Sequence, residues 1–166
     1  MITIISGTNR AGSNTRKVAE LYRSVLAAKQ VQGHVVSLED VNTSLRNHHI
    51  EQLEQEFLAP ASKFIFIMPE YNGSIPGVLK CLVDITDIKT VWWGKKALLT
   101  GVSTGRAGNL RGMEHFTGIL NYLKVVVHPN KLPISCIHQL LSSAGELNHE
   151  PTLKAISEQV NEFLSF

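Results

Sequence analysis

The sequence predicts a doubly wound α/β fold, with five parallel strands in the order 2-1-3-4-5 and helices on both faces of the sheet. Three observations lead there. Short apolar runs recur at Ile2–Ser6, His34–Leu38, Phe64–Met68, Ala97–Val102 and Val125–His128. The segments between them carry apolar residues at helical spacing. The two patterns alternate along the chain, which is the mark of parallel strands joined by right-handed crossovers.

Each element has its own signal. Most of the strand runs are nearly continuous in Ile, Val, Phe or Leu, as expected of strands covered on both faces, and only the second is weak. The first helix is marked by Val18, Leu21, Tyr22, Val25 and Leu26, with Ser13 or Asn14 as N-cap. Ile50, Leu53 and Phe57 mark a second helix, which ends near Pro60 and places His48 and His49 at a solvated start. The third starts at Pro76, in the first-turn position proline favours. Leu110, Met113, Phe116, Leu120 and Leu123 stripe the fourth. Pro151 opens the fifth, with Leu153, Ile156, Val160, Phe163 and Leu164 facing inward.

Composition narrows the class. A chain of 166 residues with 43% hydrophobic and 18% charged residues suits one globular domain spanning 1–166. The net charge of +2, with no cluster of Lys and Arg, argues against a nucleic-acid partner. No apolar run reaches the length of a membrane span, and the N-terminus lacks the pattern of a signal peptide, so no membrane partner and a cytoplasmic location are expected. Cys81 and Cys136 are not a close pair and lie in apolar surroundings. Both are expected to be buried thiols, with no disulfide framework and no metal site.

In such sheets ligands bind beyond the carboxyl ends of the strands, where the strand order reverses. That singles out the loops after strands one, three and four, which are also the loops richest in glycine and hydroxyl residues. The first runs from Ser6 to Thr15 and joins a strand to a helix N-terminus, which favours anions. Ser6, Thr8, Ser13 and Thr15 offer hydroxyls, Asn14 an amide, and Arg10 a guanidinium suited to phosphate. The spacing of Gly7 and Gly12 is neither a Walker loop nor a dinucleotide turn. Two readings fit: a cradle for a terminal phosphate monoester, or a Ser-capped turn with a solvent-facing Arg10. The second loop is Pro69-Glu70-Tyr71-Asn72-Gly73-Ser74-Ile75-Pro76-Gly77. Its prolines fix φ at either end and Gly73 permits a turn or a close approach. A flat ligand could lie there; the alternative is a surface turn with a solvated Glu70. The third loop contains Ser103, Gly105, Arg106, Gly108, Asn109 and Arg111, and the two arginines are either functional at the mouth or simply solvated.

These loops resemble those of the NADPH-dependent FMN reductases, a flavodoxin-like group that includes azoreductases, chromate reductases and quinone reductases. The likeness runs from the first strand to about Pro133. The family's G-S-x-R-x-x-S-x-N corresponds to Gly7 through Thr15. Its P-E-Y-N-G-S-x-P-G-x-L-K-N is matched from Pro69 to Lys80, with Cys81 in place of Asn, and this motif is the most specific. Its S-x-G-x-x-G-G-x-R is matched at Ser103, Gly105, Gly108 and Arg111, with Asn109 where the family has Gly. Thr8 keeps the hydroxyl of the family's Ser, and Thr15 offers a hydroxyl in place of the family's Asn. The family's N-A-I-D-W becomes Cys81-Leu82-Val83-Asp84-Ile85, with Trp92-Trp93 following later.

The resemblance implies a flavodoxin-like three-layer sandwich with bound FMN. Arg10, Ser13 and Thr15 would hold its phosphate, with Thr8 alongside. Pro69, Glu70, Tyr71, Asn72, Gly73 and Ser74 would line the isoalloxazine, and Ser103, Gly105 and Gly108 its other side. It also implies NADPH or NADH as electron donor, hydride transfer to the flavin, and ping-pong delivery to a small acceptor such as a quinone, azo compound, metal oxyanion or free flavin. A homodimer or homotetramer is expected. No catalytic acid or base is assigned, because the cofactor carries the chemistry. Arg106 and Arg111 have three open roles: stabilising the reduced flavin, attracting the NADPH 2′-phosphate, or neither. The alternative function is a non-catalytic FMN-binding electron carrier or redox regulator of the same fold. A phosphoacceptor receiver is excluded, since Ser6-Gly7 and Pro69 stand where it needs acids.

Overall fold

The computed structural model describes residues 1–166. In chain order its main elements are β1 (Ile2–Ser6), α1 (Asn14–Ala28), β2 (Gly33–Ser37), α2 (His48–Leu53), β3 (Lys63–Pro69), α3 (Gly77–Ile85), β4 (Lys96–Val102), α4 (Leu110–Tyr122), β5 (Val126–Val127), β6 (Leu132–Ile134) and α5 (Glu150–Ser165). The sheet is parallel in the order β2-β1-β3-β4-β5, the flavodoxin-like order, and β6 also pairs with β4. None of its helices is long and apolar enough to cross a membrane.

Strand alternation builds a core on each side of the sheet. On one face Phe64, Phe66 and Met68 of β3 pack with Leu99, Trp92 and Phe116. On the other, Ile65 and Ile67 pack with Ile4, Leu98, Tyr22 and Phe163. Both faces of β3 are therefore covered, which is why its sequence reads as an unbroken apolar run. The register matters for function. β1 stops pairing where Ser6 meets Ile67, whereas β3 and β4 continue together through Met68–Gly101 and Pro69–Val102. The overhang leaves a crevice above β1.

The helices follow their caps. Ser13 is the N-cap of α1, and its side chain accepts a hydrogen bond from the Arg16 N–H. Asn47 caps α2 in the same way through Ile50, and α2 widens into a π-helical turn over Glu54–Leu58. Pro76 occupies the N-cap of α3, with φ −61° and ψ 141°, rather than its first turn. Its missing N–H costs nothing at that position.

The fifth strand departs from expectation. It is broken between Val127 and Leu132 and resumes as β6, a sixth strand the sequence reading did not include. β5 pairs with Lys96 and Ala97, while β6 pairs with Thr100 through Val102. Pro129 and Pro133 lack an N–H, and a sheet edge is where such residues are tolerated. The gap is closed by a side chain. Gln159 of α5, fully buried, donates to the Leu99 carbonyl at 3.2 Å and to the Asn130 carbonyl at 2.8 Å. Its amide oxygen accepts from the Tyr22 hydroxyl at 2.5 Å and from Thr100 Oγ1 at 3.2 Å. Burial pushes the Tyr22 phenol well above its usual range, against a smaller lowering from its hydrogen bond with Thr100. Gln159 thus substitutes for the missing piece of ladder.

The cysteines also differ from expectation. Cys81 is exposed and Cys136 only half-buried. Leu79, Leu82 and Val83 form the inner face of α3, which turns Cys81 outward. Cys136 sits in a left-handed conformation with φ 48° in the connection after β6.

Replacing Gln159 by Leu is expected to lower stability by about 1–3 kcal/mol for each buried polar group left unpaired, and by at least ~2 kcal/mol in total. Urea unfolding should show a lower midpoint with an unchanged slope.

Candidate functional site

The loops after β1, β3 and β4 meet over the crevice. They enclose a cavity of about 300 Å³, walled by Arg10 through Thr15, by Pro69, Glu70 and Tyr71, and by Val102, Ser103, Thr104 and Ile137. Its two ends differ chemically.

One end is the start of α1. The N–H groups of Asn14 and Thr15 lie in the first helical turn, where no intrahelical acceptor exists. Ser13, Asn14 and Thr15 surround that end with two hydroxyls and an amide, and Arg10 adds a guanidinium. Glu39 accepts from the Gly12 N–H at 3.3 Å in a solvent-exposed contact. Ser6 is fully buried, and its Oγ has no hydrogen-bond partner. It ends β1 and is not one of the residues that wall the cavity.

The opposite end is made of peptide groups and apolar surface. Tyr71 N–H donates to the Ser74 carbonyl at 3.0 Å, and Ser74 N–H returns to the Tyr71 carbonyl at 3.1 Å. Asn72 and Gly73 both have positive φ, 53° and 77°. These are the features of a type I′ turn, for which Asn-Gly is the favoured pair. The polar stretch after β3 is therefore a two-residue hairpin. Its tip is fixed from α4, because Ser74 Oγ hydrogen-bonds His115 Nδ1 at 3.0 Å. No histidine lies in the three loops, yet one reaches them from a helix.

The third loop is closed on itself. Ser103 Oγ donates to the Gly105 carbonyl at 2.8 Å and accepts from the Gly108 N–H at 3.0 Å. Gly108 has φ 56°, and a Cβ there would come within 2.5 Å of Pro133. Gly101 is as constrained, since its Cβ would stand 2.0 Å from the Gly108 carbonyl oxygen. Asn109 takes the left-handed conformation, φ 63°, that asparagine tolerates better than most residues. Its Nδ2 donates to the Met68 and Pro69 carbonyls, each at 3.0 Å. The residue that departs from the family motif thus ties the third loop to the overhang of β3.

The first and second loops are also joined. Thr8 Oγ1 and the Tyr71 hydroxyl are 2.5 Å apart, and Arg10 N–H donates to the same Thr8 oxygen at 3.3 Å. The Arg10 guanidinium carbon lies 4.2 Å from the centre of the Tyr71 ring. Of the residues singled out in the sequence, Arg10, Ser13, Asn14, Thr15, Pro69, Glu70, Tyr71 and Ser103 wall the cavity. Thr8, Asn72, Gly73, Ser74, Gly105 and Gly108 shape the loops around it. Arg106 and Arg111 are exposed beside it, and Arg111 Nη1 would lie 3.9 Å from a Cβ on Gly73. Val102 and Ile137 were not singled out. Ile137 arrives through the Cys136 N–H to Gly105 bond, 2.9 Å, and its own N–H to the Ser103 carbonyl, 3.0 Å. Nothing local in the sequence announces that return.

Arrangement and donor set suit an amphipathic ligand with an anionic tail and a flat apolar body. The family model for NADPH-dependent FMN reductases matches residues 1–139. A 2-hydroxy-1,4-benzoquinone reductase of Burkholderia sp. is 27% identical over 113 residues, covering 66% of this chain and 62% of that relative. The match thus spans less than two thirds of that relative's length. An NAD(P)H-dependent FMN reductase of Pseudomonas aeruginosa is 29% identical, covering 94% of this chain and 89% of the relative. The flavoenzyme NAD(P)H:(acceptor) oxidoreductase from Paracoccus denitrificans superposes with a TM-score of 0.81 at 20% identity, over 99% of this chain and 94% of that one, which shows the shared fold.

Asn109→Ala is expected to cost about 2–4 kcal/mol, from two lost hydrogen bonds and a strained positive φ. Asn109→Gly should cost about 1 kcal/mol less, since glycine removes the strain alone. Urea titrations of both variants check the ranking.

Proposed function

The chain belongs to the NADPH-dependent FMN reductase family, and from that premise we propose that it binds FMN in the cavity above β1 and reduces small acceptors at the expense of NADPH or NADH. One observation carries the reading. Three loops distant in sequence close on a single cavity with an anion-binding helix start at one end and peptide and apolar surface at the other.

The residues present fit the group. Arg10, Ser13 and Thr15, with the amide of Asn14 and the first N–H groups of α1, would hold the phosphate. Glu70, Tyr71, Ser103 and Thr104 would offer backbone groups to the ring, and Val102 and Ile137 an apolar wall. Asn72, Gly73 and Ser74 hold Tyr71 in place through the hairpin, and Gly105 and Gly108 hold Ser103. When bound, FMN would supply acceptance of a hydride from the nicotinamide and delivery of electrons to an acceptor. The protein's part is to orient, to present N–H donors where negative charge develops, and to keep the loops from moving. Arg106 and Arg111, exposed at the rim, add positive charge where an anionic nucleotide would approach. Quinones, azo compounds, metal oxyanions and free flavins are the acceptor classes this reading covers. Reduced nicotinamide is an intracellular reductant, which favours a cytoplasmic setting.

A homodimer or homotetramer belongs to the same reading. Ile88 and Tyr122 stay exposed around a groove between α3 and α4, and Leu110 is exposed at the start of α4, which supports further burial by assembly.

The purified protein is expected to bind FMN stoichiometrically and, without oxygen, to lose flavin absorbance on addition of NADPH or NADH. Absence of FMN binding overturns the proposal, and bound flavin that neither donor bleaches identifies a carrier or regulator instead. Arg10→Ala combined with Ser13→Ala should weaken FMN at least ~10-fold, the scale of one charge-assisted hydrogen bond. Unchanged affinity in a fluorescence titration would reject the phosphate assignment.

A further inference from the structure

We infer that Tyr71 is a positioning residue for the phosphate end of the cavity, acting through Arg10 and Thr8, and so sets the preference for a phosphorylated flavin over an unphosphorylated one. The inference rests on the FMN reading above. It departs from what the position of Tyr71 suggests, which is a place against the flavin ring.

Several contacts carry it. Arg10 is exposed at residue level, and its guanidinium carbon lies over the Tyr71 ring at 4.2 Å from the centroid. It forms no ion pair with any of the chain's carboxylates. The Tyr71 ring face is its side-chain partner, and a cation is attracted to that face. Arg10 and Tyr71 wall the same cavity as Ser13, Asn14 and Thr15, and Arg10 lies in the loop that leads into the α1 start. Tyr71 is itself held at both ends. Its backbone is locked in the Asn72-Gly73 hairpin, and its hydroxyl meets Thr8 Oγ1 at 2.5 Å. Thr8 is almost fully buried and also accepts from the Arg10 N–H at 3.3 Å. Backbone and side chain of Arg10 are therefore both referred to Tyr71, one through Thr8 and the other through the ring.

An arginine on a flexible loop loses much rotamer freedom when it closes on a phosphate. One already stacked loses less, and preorganisation of this kind strengthens binding without a new contact. The gain falls only on ligands that carry the phosphate. A residue that merely packs against the ring, or merely supports the loop, would affect FMN and riboflavin alike.

The test measures dissociation constants for FMN and riboflavin on the full chain, by quenching of flavin fluorescence, and reads their ratio. Tyr71→Leu is expected to reduce the FMN preference about 3- to 5-fold, whereas Tyr71→Phe, which keeps the ring, should retain it within about 2-fold. In an Arg10→Ala background, Tyr71→Leu should leave the ratio unchanged, as a double-mutant cycle requires of residues acting through one another. Tyr71→Gln serves if the Leu variant does not fold. A wild-type ratio near one, a ratio that Tyr71→Leu leaves intact, or an equal effect of that change with and without Arg10 overturns the inference. If the wild-type chain binds neither flavin, it is the FMN reading that falls.

Discussion

The site depends on β1 stopping at Ser6 while β3 and β4 run on together to Pro69 and Val102. Gly7 marks the parting. Its N–H still reaches the Ile67 carbonyl at 2.9 Å, but a Cβ there would press on Leu79 at 3.0 Å. Past this point the first loop turns away, and the end of β3 has lost a neighbour on one side. An unpaired strand end inside a molecule cannot be left without partners. Here the Met68 and Pro69 carbonyls are met by Asn109, while the Glu70 N–H stays paired with β4 through the Val102 carbonyl at 3.3 Å. What satisfies the overhang also anchors the third loop beside the crevice.

Much of this was legible in the sequence, and for stated reasons. Phe64 through Met68 reads as a strand because both of its faces are buried, and Ser13 reads as a cap because its oxygen serves the Arg16 N–H. The break in the fifth strand was not legible. Pro129 and Pro133 disguise β6, and the residue that closes the gap, Gln159, comes from a helix elsewhere in the chain. A lone glutamine on an otherwise apolar helix face is a weak sign of a buried network, yet it was the available one. Cys81 was misplaced because apolar neighbours in sequence do not say which side of a helix a residue takes.

The loops were legible as a group, their interlocking was not. Strand order places three polar loops together, and that inference needs no side-chain detail. The bond between Thr8 and Tyr71, the grip of Asn109 on β3 and the approach of Ile137 are tertiary contacts with no local pattern. Asn109 shows how a departure from a motif can be accommodated. It keeps the positive φ that glycine would supply, and its side chain does work glycine cannot. Gly112 makes room for it, since a Cβ there would lie 2.1 Å from the Asn109 Oδ1.

The stiffness of the stretch after β3 acts at both ends of the cavity. A type I′ hairpin resists fluctuation because Asn72 and Gly73 already occupy the φ it needs. That rigidity passes to Tyr71, and from its ring face to the guanidinium of Arg10. The carboxylate of Glu39 opposes a bound anion, but its contact with Gly12 is solvent-exposed, and water and salt screen such charges strongly. Arg10 and the residues of the helix start wall the cavity itself, so a bound anion would meet their donors directly. The balance at that end therefore favours an anion, and the hairpin's contribution is to hold the cation where this balance is decided.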